Sequence, residues 1–96
     1  MNNSNVLISS CKGHTGHLLG TAGAIESIFT ILSCYHARCP STLNYQKEND
    51  NIDESLLLNI ISHNETISWK SQKRIALKNS FGFGGTNSCL ILSNLF

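Results

Sequence analysis

Four side chains with chemistry to offer stand within seven residues near the start of this sequence: Cys11, Lys12, His14 and His17. They belong to a stretch, Lys12 to Glu26, that reads Lys-Gly-His-Thr-Gly-His-Leu-Leu-Gly-Thr-Ala-Gly-Ala-Ile-Glu, polar in front and apolar behind. Ser10 to Gly16 is short, polar and punctuated by glycine, whereas nearly every position from His17 to Tyr35 is small or apolar. That is the pattern of a loop feeding a helix, with Thr15 or Gly16 as N-cap and His17 in the first turn. Unpaired N–H groups and the helix dipole hold partial positive charge there, so the ring of His17 is expected to stay neutral near pH 7. A neutral imidazole in that place suits a group that polarises a carbonyl or takes up developing negative charge.

A second chemical stretch lies near the other end: Asn79-Ser80-Phe81-Gly82-Phe83-Gly84-Gly85-Thr86-Asn87, three glycines and two phenylalanines in nine residues. Such a loop can hold positive backbone dihedrals and bring main-chain N–H groups close to a ligand. It can equally be a plain hairpin connection, because glycine clusters between strands usually are.

The elements that must position these groups follow in order. Val6 to Ser9 is an apolar run suited to a buried strand that delivers the chain to the Cys11 to Gly16 loop. The helix from about His17 to His36 is apolar on all sides, the mark of a helix enclosed by other structure. Gly20, Ala22, Gly23 and Ala24 lack bulk, so a neighbour could come close along that part. Arg38, Cys39 and Pro40 should end it, and Pro40 to Asn44 reads as an extended connector. Gln46 to Glu54 is polar, acidic and best read as a solvated loop. Ser55 to Ser62 is apolar and fits either a short strand or a helical turn, while Trp69 reads as a packed surface anchor. Arg74 to Asn79, where Ile75 and Leu77 alternate with polar residues, and Ser88 to Leu92 read as strands flanking the glycine loop. No internal repeat and no low-complexity tract is present.

Composition narrows the functional classes. The 96 residues allow at most one domain, and a domain that small has a marginal core. Yet 41% of the residues are hydrophobic and only 14% are charged, against a usual charged share of about 25%. The imbalance fits a piece of a larger protein. A net charge of +1 without a basic cluster gives no electrostatic case for nucleic acid or an anionic membrane surface. Leu18 to Tyr35 approaches the length of a membrane span, but Glu26 in its middle, with Gly20, Thr21, Gly23, Ser27, Thr30 and Ser33 around it, disfavours lipid. The first five residues show neither a signal-peptide nor a transit-peptide pattern. Cys11, Cys34, Cys39 and Cys89 follow no regular spacing and read as reduced thiols, the last three packed.

Taken together, the two stretches make the chain resemble the C-terminal part of a β-ketoacyl-acyl carrier protein synthase of the fatty-acid condensing type. Lys12 to Gly23 is similar to the family's lysine and histidine segment, Asn79 to Asn87 to its Asn-Ser-Phe-Gly-Phe-Gly-Gly-Thr-Asn signature, and Pro40 to Asn44 to its connector in place and spacing. The resemblance implies an α/β chain, 1–96, that is an incomplete part of the thiolase-like fold, with a buried central helix against a mixed sheet. It implies decarboxylative condensation of an acyl group with malonyl-acyl carrier protein, with acyl carrier protein as partner, a homodimer in the longer protein and no cofactor. His17 then corresponds to the second catalytic histidine and Lys12 to the catalytic lysine, with Glu26 supporting the lysine from the following helix. Phe81 resembles the gating phenylalanine, and Gly82, Phe83, Gly84 and Gly85 complete a gating loop beside an oxyanion-binding N–H.

Departures from the family shape the reading. Its nucleophilic cysteine and first histidine lie upstream of anything here, and Cys11 is no substitute, because the family's nucleophile sits at a different helix start. Without that cysteine the chain alone should not catalyse condensation. Cys11, His14 and His17 have Cys-x-x-His-x-x-His spacing, but a convincing further ligand pair is lacking and no metal is assigned. His36 and His63 read as solvent-facing. Within the family, Lys12 to His17, the Cys34-Tyr35 pair and the surroundings of Trp69 and Lys70 look most like the mitochondrial type, which would place the protein in the matrix; a bacterial-type cytoplasmic or a plastid setting is equally compatible with the motifs. The alternatives are a non-catalytic fragment or partner chain of the same fold, and a polyketide synthase condensing domain, which shares both motifs. Thiolases, with a cysteine in place of His17, fit less well.

Overall fold

The computed structural model describes residues 6–45, 59–62 and 66–95. The chain divides into two compact units, one made of Met1–Gly16 and Cys39–Ile67, the other of His17–Arg38 and Ser68–Phe96.

In the first unit, the apolar run at the start forms a strand shorter than its sequence suggests, β1 (Leu7–Ile8). It pairs in parallel with β3 (Asn59–Ile60), Leu7 opposite Asn59 and Ile8 opposite Ile60. Parallel pairing continues one step further, since the Ile61 N–H donates to the Ile8 carbonyl at 2.9 Å, and Thr42 in turn donates to the Ile61 carbonyl at 3.0 Å. Ile61, 1% exposed, is the apolar centre of this unit. Asn59 and Ile60 thus answer as strand the part of the Ser55 to Ser62 run that is described. Residues 55–58, the acidic stretch 46–54 and His63 lie outside the described residues. Between β1 and the division comes α1 (Lys12–Thr15), a single helical turn where a loop is expected.

The second unit is a helix packed on a hairpin. A 3₁₀ turn at Leu19–Thr21 leads into α2 (Ala22–His36), so the helix begins beyond His17. The reason is backbone: Gly16 and Leu19 take φ of 75° and 51°, which a right-handed helix cannot contain. The far end falls at His36 as expected, where Ala37 adopts the left-handed conformation (φ 56°) and caps the helix with its N–H on the Ser33 carbonyl. Arg38–Cys39, expected to close the helix, form β2, and Ile67–Ser68 form β4. The Trp69 N–H donates to the Ala37 carbonyl at 2.7 Å, which anchors the half-buried tryptophan through its backbone. Inside α2, the hydroxyls of Ser27, Thr30 and Ser33 donate to the carbonyls four residues earlier, at 2.7, 2.8 and 2.8 Å. An otherwise apolar helix thereby satisfies its own polar groups.

The hairpin is β5 (Ile75–Phe81) and β6 (Asn87–Ser93), antiparallel, with Ile75 opposite Ser93 and Phe81 opposite Asn87. Both strands are read at their centres from sequence, but β5 runs into the glycine motif as far as Phe81. Among the described residues the strands form separate two-stranded sheets, the parallel ladder in one unit and the hairpin in the other, where one mixed sheet is expected. Nor is α2 enclosed by the described residues: Ala22 and Cys34 are buried, while Ile28, Phe29, Ile31, Leu32 and Tyr35 are exposed. Among the described residues, no helix is long and apolar enough to cross a membrane.

Candidate functional site

The Lys12 segment is built by close packing of main chain. Lys12 opens α1, its amide donating to Ser10 Oγ at 3.3 Å. The Cys11 carbonyl accepts from the amides of His14 and Thr15, and the Lys12 carbonyl from Gly16, so a complete turn forms over Lys12 to Gly16. Gly13 is needed for what lies behind it. A Cβ at this position would stand 2.5 Å from the Leu43 carbonyl oxygen and 2.9 Å from the Leu43 Cβ, which leaves room for hydrogen alone. The connector Pro40 to Asn44 is therefore the backing of the Lys12 turn. Ser9 Oγ donates to the Pro40 carbonyl at 2.7 Å and the Ser10 N–H to Thr42 Oγ1 at 3.2 Å, which fixes the two strands of chain together. His14, exposed, brings Nε2 to 3.5 Å from Ser41 Oγ.

His17 lies in the second unit, outside any helix and exposed. A local hydrogen bond orients its ring. Its Nδ1 accepts the Leu19 N–H at 3.1 Å. A backbone amide only donates, so Nδ1 is bare and the proton of the neutral ring sits on Nε2.

The glycine motif divides into strand and loop. Asn79, Ser80 and Phe81 complete β5, and Gly82 to Thr86 make the turn, with Phe83–Gly85 in a 3₁₀ turn where Gly84 and Gly85 take φ of 72° and 82°. The Gly82 N–H closes the hairpin on the Thr86 carbonyl at 2.7 Å. In antiparallel alternation this makes Phe81 and Asn87 a non-hydrogen-bonded pair, so the Phe81 N–H points away from β6 and off the edge of the hairpin. Phe83 is 98% exposed at the loop tip and Phe81 is exposed at the strand end.

Beneath this loop lies a polar cluster that the sequence reading did not identify. Lys78, only 7% exposed, places Nζ 3.1 Å from Glu26 Oε2 on α2 and hydrogen-bonds Ser80 Oγ. Gly23 lies beside it: a Cβ there would be 3.7 Å from Lys78 Nζ and 3.8 Å from Ser80 Oγ, ordinary van der Waals contact. Further along the helix, Arg74 Nε donates to the Cys34 carbonyl at 2.6 Å. Burial pushes the Cys34 thiol above its ordinary value, the Arg74 charge opposing this in part. Cys39 is also buried, whereas Cys89, expected to be packed, is exposed because it lies on the outer face of β6. Among the described residues, no group of three or more His, Cys, Asp or Glu side chains is arranged to hold a metal ion.

Of the residues singled out from sequence, His17, Glu26 and Phe81 to Gly85 thus fall in one unit and Lys12 in the other. The signal for Lys78 was present but faint: a lysine at an inward strand position directly before the glycine motif.

Comparison with known proteins agrees with the motifs. Residues 1–46 match the family described as beta-ketoacyl synthase, C-terminal domain. The mitochondrial 3-oxoacyl-[acyl-carrier-protein] synthase of Arabidopsis thaliana is 45% identical over 87 residues, covering 91% of this chain and 18% of that protein. The 3-oxoacyl-[acyl-carrier-protein] synthase 2 of Vibrio cholerae is 42% identical over 91 residues, covering 94% and 20%. A non-reducing polyketide synthase of Preussia isomera is 34% identical over 85 residues, 88% of this chain and 3% of that protein. No solved structure gives a significant match. The chain belongs to the beta-ketoacyl synthase family, matching its C-terminal domain, and spans about a fifth of the length of the curated 3-oxoacyl synthase relatives.

Proposed function

We propose that this chain supplies the lysine and histidine part of a 3-oxoacyl-[acyl-carrier-protein] synthase site, with the acyl-bearing cysteine and the first histidine contributed by sequence outside residues 1–96. The observation that carries this reading is the Leu19 N–H on His17 Nδ1, which occupies that nitrogen and leaves Nε2 of an exposed ring as the donor. When malonyl thioester loses carbon dioxide, the electrons of the broken carbon–carbon bond move onto the thioester as an enolate. His17 Nε2–H donates to that oxygen as its charge grows. The enolate carbon then attacks the acyl thioester on the cysteine and expels the thiolate, which yields the 3-oxoacyl product. Lys12 contributes fixed positive charge, while Glu26, for which the family resemblance implies support of that lysine, is paired with Lys78.

In this reading the loop gates the acyl site, and Phe83 is its moving part rather than Phe81. Phe81 is held opposite Asn87 at the end of the ladder, whereas Phe83 stands between Gly82 and Gly84 at the tip. Phe81 contributes its outward N–H to the oxyanion site. Acyl carrier protein delivers both thioesters, the longer protein is a homodimer, and the mitochondrial matrix is its setting, in line with the Arabidopsis relative. The Preussia relative favours one second reading, a polyketide condensing domain with the same two motifs.

The test is a graft. Residues 6–96 replace the matching C-terminal region of the Arabidopsis synthase, and formation of 3-oxoacyl-acyl carrier protein from acyl- and malonyl-acyl carrier protein is measured. Condensation by the graft supports the reading. A folded, dimeric graft that acylates its cysteine but neither decarboxylates malonyl groups nor condenses overturns it.

A further inference from the structure

The hairpin meets α2 with the less apolar of the two faces of β5. Its inward set is Ala76, Lys78 and Ser80, partly or fully buried; its outward set is Ile75, Leu77, Asn79 and Phe81, with Ile75 55%, Leu77 63% and Phe81 75% exposed. On β6, Leu90 and Leu92 lie across from Lys78 and Ala76 on the inward side, while Cys89 and Ile91 share the outward one. Side chains alternate along a strand, so moving β5 by one residue exchanges the two sets and would bring Ile75, Leu77 and Phe81 against the helix. Apolar burial alone pulls toward that exchange.

What holds the observed face inward is the Lys78 cluster. The Nζ–Oε2 separation of 3.1 Å to Glu26 and the bond to Ser80 Oγ together make a fitted seat for one ammonium group. Exchange of the faces would break the ion pair and leave Glu26, its side chain 15% exposed, without that partner.

We infer that Lys78 is a positioning residue: its ion pair with Glu26 selects the face of the β5–β6 hairpin that packs on α2, and so sets where the Gly82 to Thr86 loop and the outward N–H of Phe81 stand. Transmission is short. Ser80, bonded to Lys78, is two residues from Gly82, and the ladder from Ser80–Ser88 through Phe81–Asn87 passes directly into the Gly82–Thr86 closure. The functional consequence rests on the loop having the role proposed above, but the face selection does not.

The experiment reads the chain itself by NMR, with no need for condensation, so failure of the enzymatic reading and failure of this one are told apart. Three variants are compared with the parent: Lys78→Ala, Lys78→Arg and the charge swap Glu26→Lys with Lys78→Glu. In Lys78→Ala, the Gly82, Gly84 and Gly85 amide resonances leave their parent positions, and the ladder-bonded amides of Ser80 and Ser88 exchange roughly a hundredfold or more faster, the scale of a lost buried ion pair. Lys78→Arg and the charge swap return both readouts toward the parent. A control, Lys73→Ala, whose Nζ bonds the Asn94 carbonyl at the other end of the hairpin, leaves the loop amides in place. Parent-like loop amides in Lys78→Ala overturn the inference. So does a charge swap that behaves like Lys78→Ala or fails to fold, since a merely structural contribution of the lysine stem is not restored by reversing the charges.

Discussion

The Lys12 segment and the unit that carries His17 are neighbours in sequence but are held by different kinds of force. Around Lys12 the chain is fastened by short neutral contacts: hydroxyls on carbonyls, amides on hydroxyls, and a glycine pressed on the Leu43 main chain. Nothing there tolerates added volume at Gly13. Around α2 the principal polar tie is a buried ion pair, and Gly23 beneath it has ordinary van der Waals room for a methyl group. One segment is specified by shape, the other by charge. Their responses to substitution should differ accordingly.

The largest stability effect expected is on the charged side. Glu26→Gln leaves Lys78 buried opposite a neutral amide, and breaking such a pair from one side costs about 3 kcal/mol. Urea denaturation would show this as a lower midpoint at unchanged slope. A loss below about 0.5 kcal/mol, the scale of an ordinary surface change, would mean that shape holds this unit too. Next comes Gly13→Ala, where the added methyl group overlaps the Leu43 carbonyl and should cost about 2 kcal/mol, in the range of overpacking. The same denaturation series measures it, and an unchanged midpoint would remove the contrast from the other end.

A smaller effect distinguishes the thiols of the helix unit. Because burial raises the Cys34 thiol in the folded chain, the folded state holds that proton more tightly than the unfolded state does. Its contribution to stability is therefore complete below the ordinary thiol value and declines as pH rises past it toward the raised one. Cys34→Ser should flatten this alkaline decline, as followed by thermal unfolding over a pH series, and a soluble thiol reagent should modify exposed Cys89 well before Cys34.

The legibility of the molecule followed the same divide. Motifs that are contiguous in sequence could be read directly: the strands around the glycine loop, the helix body and the family membership all follow from residues that stand side by side. The start of α2 was placed too early, because small and apolar residues from His17 to Thr21 look helical, and only the left-handed backbone at Gly16 and Leu19 interrupts them. The pattern around His17 points to a helix terminus, whereas its ring is held by the Leu19 amide outside any helix. Lys78 escaped notice because its partner lies on another element, 52 positions earlier in the sequence. Alternation suggested that Ile75 and Leu77 mark a strand, which is correct, but it could not say that the polar face would be the one turned to the helix. Pairing at a distance decides that, and a single sequence does not display it.

The most direct test of the central claim uses the active graft with His17→Ala. Loss of a donor to a developing oxyanion typically lowers turnover by about 10²–10³-fold, so malonyl-acyl carrier protein decarboxylation should fall by that order while acyl transfer onto the cysteine proceeds at the parent rate. Decarboxylation at the parent rate in a folded His17→Ala graft would contradict the account.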